Sequence, residues 1–333
     1  MKSKKILRRT ELYIFAALVL MSFLIQVRSG QFFTNNNLVD MTRSMIIPGI
    51  FSIGALMVIV SGGIDVSFTA IASLAMYCTT AFFLERNYTG PVLLPYVMGT
   101  VLGLIMGLFN GFLIAYFHFP TLVVTLGTSS LFIGIMQGVL AAHEIPVPPS
   151  MRVHGEAYIF KVFNSNLNIG SEMPVTIFIL IGLLVLVFFI LRYTMLGRGI
   201  FAIGGDEIAA QRAGFNVFRT KMFIYGLAGA MAGIGGIARA CMMQNCHPTN
   251  LNGMEMTVIA AVVLGGTRVT GGVGTLTGAI LGVALMTVMS NSLILIGIPI
   301  YWQRVFTGAI IIIGTGVSAY QATRSSIKGH TVL

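Results

Sequence analysis

The residue groups that most often carry covalent chemistry are absent or broken in this chain. No GxxxxGK(S/T) run is present and no Gly-Lys dipeptide occurs, so ATP phosphates cannot be held in the P-loop manner. His143-Glu144 opens like a zinc-protease helix, but Pro146 breaks the helix that such a site requires. Cys241, Cys246 and His247 lack the further ligands of a metal centre, and with Cys78 they make too few cysteines for a disulfide scaffold. What remains is the chemistry of hydrogen bonds and bare backbone, concentrated in three glycine-rich segments. The first is Ser61-Gly62-Gly63-Ile64-Asp65-Val66-Ser67. The second runs from Gly197-Arg198 through Ala202, Gly204-Gly205-Asp206-Glu207 and Ala209-Ala210 to Gly214. The third is Gly265-Gly266-Thr267, continuing to Gly271-Gly272.

The elements that position these segments must lie in lipid. Of 333 residues, 56% are hydrophobic and only 9% charged, whereas a soluble domain carries roughly 25% charged residues. The reading is therefore an all-α polytopic membrane protein: one transmembrane domain, 1–333, with roughly ten helices at about 20 residues each. Apolar runs fall at 12–27, 45–60, 66–84, 92–117, 121–141, 175–191, 222–240, 254–264, 275–296 and 305–320. The run 12–27 reads as a retained anchor and not a signal peptide, because no small-x-small cleavage site follows it. The run 254–264 is the short one. Eleven residues rise only about 16 Å, so it either extends back through Leu251 or is a half helix ending at Gly265-Gly266 inside the membrane.

A net charge of +10 invites a nucleic-acid reading, but the positive residues are not gathered on one folded face. They cluster at Lys2, Lys4, Lys5, Arg8 and Arg9, in the stretch 192–221, and at Arg324 and Lys328, as cytoplasmic segments do. With the N-terminus (1–11) inside, an even number of crossings brings the tail 321–333 back inside. The proline-rich stretch 143–174 is then an outer loop, and 192–221 is a cytoplasmic loop. Gly99, Gly103, Gly107 and Gly111 form a small-residue stripe on one helix face, and Gly274, Gly278 and Gly282 repeat it, which implies close helix packing. Tyr301 and Trp302 read as an interfacial anchor.

Each glycine segment has its own physical reading. Residues 206–213 form a short amphipathic helix whose first turn is acidic, to suit the helix dipole. Gly204-Gly205 is expected to turn the chain into it, and Gly214 to end it. A bulky residue at Gly205 is expected to abolish transport without loss of expression. In Ser61 to Ser67, Ser61 or Asp65 can cap the free N–H groups of the next helix, or Asp65 can act in a gate. Gly265, Gly266, Thr267, Gly271 and Gly272 mark the break after the short span. Asn110, Thr125, Ser129, Gln137 and Asn291 are polar within apolar runs. They either line a path for a polar solute or join helices to one another.

Taken in order, these segments resemble the permease subunits of bacterial ABC sugar importers, of the ribose and autoinducer-2 branch. Members carry similar SGGIDLS, GR-x-x-x-A-x-GG-N-x-x-A-A-x-x-x-G and GGT-x-x-x-GG-x-G segments, and Pro120-Thr121 with Thr125-Leu126-Gly127 looks like a fourth. The sequence departs where Asp206 replaces the usual Asn, Phe68-Thr69 replaces Val-Gly, and Ile133 stands where relatives often carry Arg. The resemblance implies a non-enzymatic permease of the bacterial inner membrane. It implies ATPase partners docking on 197–214, a second permease copy or homologue, and an extracytoplasmic solute-binding protein. ATP and Mg would be bound by the partners and no cofactor by this chain. Permeases for branched-chain amino acids or nucleosides are the near alternative, and a secondary carrier without an ATPase is the distant one.

Overall fold

The computed structural model describes residues 2–164 and 169–295, together with a few positions between 297 and 312. The chain runs α1 (Lys2–Ser29), α2 (Asn35–Val60), α3 (Phe68–Glu85), α4 (Leu93–Phe117) and α5 (Thr121–Gly134), the last continuing into a π turn, Ile135–Val139. Then come β1 (Ile145–Pro146), α6 (Pro149–Gly155), β2 (Tyr158–Asn164), β3 (Ile169–Pro174), α7 (Ile177–Tyr193), α8 (Met195–Gly205) and α9 (Glu207–Arg212). The described part closes with α10 (Val217–Met243), β4 (Asn245–Cys246), α11 (Met254–Leu264) and α12 (Leu276–Leu295).

Every expected span from 12–27 to 275–296 falls on a helix. The last, 305–320, lies outside the described residues apart from Val305, Gly308, Ala309 and Ile312, as do Tyr301 and the tail 321–333. Among the described residues six helices are long and apolar enough to cross a membrane, and a seventh crossing results if α7 and α8, bent 74° at their junction, count as one. The protein is a multi-pass membrane bundle. Its few strands are short and lie mainly in the stretch 143–174.

Helix α2 is the axis of the bundle. From Ile46 to Val60 nearly every residue is buried, whereas α1 and α4 leave much of their apolar surface outward, as helices facing lipid do. Within lipid the hydrophobic effect does not drive helix pairing, so backbone approach decides which helices meet. The stripe on α4 meets a second glycine stripe on α10. A Cβ on Gly103 would collide with the Gly229 carbonyl, and one on Gly233 with the Gly99 carbonyl. Gly265 of the α11–α12 turn and Gly278 of α12 stand in the same relation. Gly274 precedes α12 instead of lying on it, and its place is taken by Val60 and Thr267 contacts.

At the other end, 143–174 folds into a cap. β1 pairs with β4, so the segment after α5 and the segment after α10 share one end of the bundle. The β2–β3 hairpin is tied to the start of α2 by Asn36 Nδ2, which donates to the Val162 carbonyl (3.1 Å), and by Ser171 Oγ, which donates to Asp40 (3.0 Å).

Candidate functional site

The three glycine segments, distant in sequence, meet at the Val60 end of α2. The Gly272 N–H donates to the Val60 carbonyl at 2.8 Å. A Cβ on Gly204 would overlap that same carbonyl, and one on Gly271 would lie 2.5 Å from the Gly204 oxygen and 2.8 Å from the Gly62 nitrogen. Gly62, Gly271 and Gly272 all have positive φ, a backbone that favours glycine, and at Gly271 a Cβ would in addition collide with the neighbouring main chain. Three chain segments are thus in direct backbone contact.

From this knot the second segment leads outward. Gly197 closes the sharp α7–α8 corner, where a Cβ would strike the Ile190 carbonyl. Gly199, Ile200, Ile203 and Gly204 are buried; Arg198 is exposed and Ala202 half-buried. The turn into α9 is at Asp206 and not at Gly204-Gly205, which are still helical. Asp206 is extended, and its Oδ1 accepts from the Ala209 N–H at 2.9 Å, capping α9. Gly214, at φ 89°, ends the unit as expected, while 217–221 already belong to α10. Asp206, Glu207, Ile208 and Ala209 are exposed, Ile208 at 64%, and only Ala210 faces inward. Lys221 on α10 donates to both Glu207 oxygens, at 2.8 and 2.9 Å, and fixes the angle of α9. Beside this pair lies a groove of about 490 Å³, floored by Gly62 and walled by His118, Phe119 and Pro120 from the α4–α5 turn.

After a turn at Ser61-Gly62 the segment runs without regular structure along α5 to Ser67. Ile64 N–H donates to Thr121 Oγ1 (3.0 Å) and Val66 N–H to Thr125 Oγ1 (3.3 Å). Gly63 leaves room for the Tyr225 hydroxyl: a Cβ there would lie 2.5 Å from it. Asp65 is buried, and its Oδ1 accepts from both the N–H (2.7 Å) and Oγ (2.6 Å) of Ser67, at the mouth of α3. This is an Asx-type turn that leads the chain into α3, whose N-cap is Ser67. Ser61 does something else: its hydroxyl donates to the Val58 carbonyl at 2.7 Å and closes the end of α2.

Among the polar residues, Asn110 donates to Ser67 Oγ (2.8 Å) and is fully buried, and Thr125 holds the 64–66 backbone. Both join helices. Ser129 is half-buried on α5, and Gln137 is exposed in the π turn. Asn291 is far from these and donates to Ser44 Oγ at 3.2 Å. Gly265 caps α11, and Gly266 (φ 88°) with buried Thr267 carries the chain toward Gly271. Sequence reasoning passed over Glu255, on the first turn of α11, which accepts from Thr69 Oγ1 (2.9 Å) and from the Gly253 N–H (3.0 Å). Its signal was available, since an acid at the head of an apolar run is rare in membrane helices. Tyr225 and Thr121 gave no such signal.

Residues 37–314 match the family described as branched-chain amino acid transport system / permease component. The probable ABC transporter permease protein YphD of Escherichia coli is 33% identical over 95% of this chain and 91% of its own length. The ribose import permease protein RbsC of Bacillus subtilis is 32% identical over 90% and 89%. The xylose transport system permease protein XylH of Escherichia coli is 26% identical over 93% and 91%. No solved structure matches the chain. With the matched region running from the start of α2 past the end of α12, the chain belongs to the branched-chain amino acid transport system / permease component family.

Proposed function

We propose that this chain is the membrane-embedded subunit of an ATP-driven importer in the inner membrane, and that it passes a sugar or related small polar solute handed over by an extracytoplasmic binding protein. The observation that carries this is the knot of Gly62, Gly204 and Gly271 directly behind the exposed helix α9. A push on α9 by an ATPase subunit has no soft side chains to compress before it reaches α2, α12 and the 61–67 segment. In the orientation with the N-terminus inside, the turns after α2, α8 and α11 share the cytoplasmic face, while the β1–β4 pair lies outside. That agrees with the distribution of basic residues. The relatives named for ribose and xylose support a sugar as the solute.

A tagged chain expressed with its neighbours should co-purify an ATPase subunit, and pentose uptake should stop with vanadate. Uptake that persists under vanadate and follows an ion gradient would overturn the proposal. A cysteine placed at Ile208 should react with a thiol reagent only from the cytoplasmic side.

A further inference from the structure

A cavity of about 820 Å³ opens between α2, α11 and α12, and it lies well away from the knot. Its lining includes Ser44, Asn250, Asn252, Thr257, Thr287 and Asn291, interleaved with methionines, and no acidic, basic or histidine side chain is among the described residues there. Ser44 and Pro48 precede Val60 by 16 and 12 residues on one helix. At 1.5 Å per residue, Ser44 and Pro48 lie roughly 24 and 18 Å along α2 from the knot, a distance shorter than a hydrocarbon layer of about 30 Å. Amides and hydroxyls such as these are costly wherever they meet lipid tails unpartnered. Asn291 and Ser44 pair with each other across α12 and α2, but space remains beside them, and its volume falls within the range of small-molecule sites, about 300–1,000 Å³.

The backbone leads to the same conclusion. Between β4 and α11 the chain makes successive turns, with Asn252 N–H donating to the Thr249 carbonyl and Met254 N–H to that of Leu251. Gly253, at φ 88°, then starts a half-length helix beside the midpoint of α2. Irregular backbone at membrane depth is tolerated where it lines a watery or solute-filled space, and interrupted helices commonly frame the solute in transporters.

We infer that this cavity holds the solute during passage, and that the solute it takes is neutral and polyhydroxylated. Hydroxyls stripped of water find replacement partners in amides and hydroxyls, and the methionines cover the apolar face of a sugar ring. A zwitterionic amino acid would bring two charges into a lining that offers no counter-charge. The Glu255 carboxylate, on the first turn of α11, is turned to Thr69 and the Gly253 N–H. This inference rests on the importer reading, and the test separates the two.

Cells carrying the full chain with its ATPase and binding protein are given radiolabelled D-ribose, D-xylose and L-leucine. Thr257→Val, which keeps the shape of the side chain, and Asn252→Leu should each lower pentose uptake about tenfold or more, with unchanged membrane level and unchanged basal ATPase activity of the purified complex. Asn252→Cys should react with a water-soluble methanethiosulfonate reagent, and pentose with ATP should slow that reaction. Wild-type pentose uptake with undiminished uptake by both variants, or with a cysteine at 252 that never reacts, would overturn the cavity assignment and leave the importer reading intact. Wild-type uptake of leucine and not pentose, lost in the same variants, would overturn the neutral-solute inference. No transport of any kind that depends on the ATPase would defeat the importer reading itself.

Discussion

The two ends of α2 are built on opposite principles. Around Val60, backbone touches backbone: a methyl group on Gly204 or Gly271 would strike another stretch of main chain, and one on Gly272 would press on Gly205. Around Ser44 and Pro48 there is space for a small molecule, bounded by polar side chains from α11 and α12. A joint that passes on a push must not deform, since every rotatable side chain in the line absorbs part of the movement. A chamber for cargo needs volume and adjustable hydrogen bonds. The same helix serves both needs because glycine crowds one end of it and asparagine, serine and threonine the other.

The sharpest break of this contrast is at adjacent glycines. Gly204→Val should reduce uptake to background, because its Cβ alone would overlap the Val60 carbonyl and approach the Gly272 nitrogen. Gly205 has nothing within 4 Å of its Cβ direction, so Gly205→Ala should transport at close to the wild-type rate. Gly205→Trp extends that vector to the exposed α9 surface, so it should leave the permease folded but lower the amount of ATPase recovered with it. Uptake and pull-down on the three variants decide the matter. If Gly204→Val transports normally, the knot is no force-bearing joint.

A second, smaller effect belongs to the α4–α10 seam. Gly103→Ala puts a methyl group against the Gly229 carbonyl, and overpacking of this kind costs about 1–3 kcal/mol. The expected result is a lower thermal midpoint in detergent and less protein in the membrane, with uptake per molecule largely retained. Loss of turnover at full stability would instead mean that the seam also slides during transport.

Third comes Asp65. Removing an N-terminal acceptor costs about 0.5–2 kcal/mol, and Asp65→Ala deletes the acceptor for both Ser67 groups, whereas Asp65→Asn keeps an oxygen there. If the residue caps α3, Asn should recover most of the stability and uptake lost with Ala. A gate that needs the charge would leave Asp65→Asn stable and inactive.

Much of this was legible from residues alone because lipid enforces simple rules. Length and apolarity located the long apolar helices through α12, though α6 and α8 fell in stretches read as loops, and the spacing of Gly99 to Gly111 marked a packing face. The exposed unit ending at Gly214 followed from its acids, alanines and glycines. The partner stripe on α10 carries the same four-residue spacing at Gly229 and Gly233 and could have been found in the same way. What could not be read was convergence. Nothing in the order of residues says that Gly62, Gly204 and Gly271 touch, since that follows from how α2, α8 and the α11–α12 turn pack. For the same reason Asn110 and Thr125, placed with Asn291 by polarity, separate in space: the first two hold the 61–67 segment, and the third lines the cavity. The two-residue strands β1 and β4 are too short to show any periodicity.

The smallest effect is expected on the outer cap, where the contrast sets a lower bound. Lys161 and Glu172 face each other across the β2–β3 hairpin, and Lys161 also lies over the Tyr158 ring, 4.6 Å from its centroid. The Lys161 hydrogen bond holds the Glu172 carboxyl below its ordinary range. A lowered folded value means that any stabilisation is present above the ordinary carboxylate range and is lost as pH falls through the folded value, so the pair stays intact throughout neutral and mildly acidic conditions. Exposed pairs of this type contribute little because water and salt screen them. Lys161→Ala should therefore leave uptake and thermal midpoint unchanged near pH 7, with Asn36 and Ser171 still anchoring the hairpin to α2. If uptake fell severalfold while the cap stayed folded, Lys161 would be touching something other than its own chain, and a rescue by raised concentrations of the solute-binding protein would identify that contact as the docking of the delivering partner.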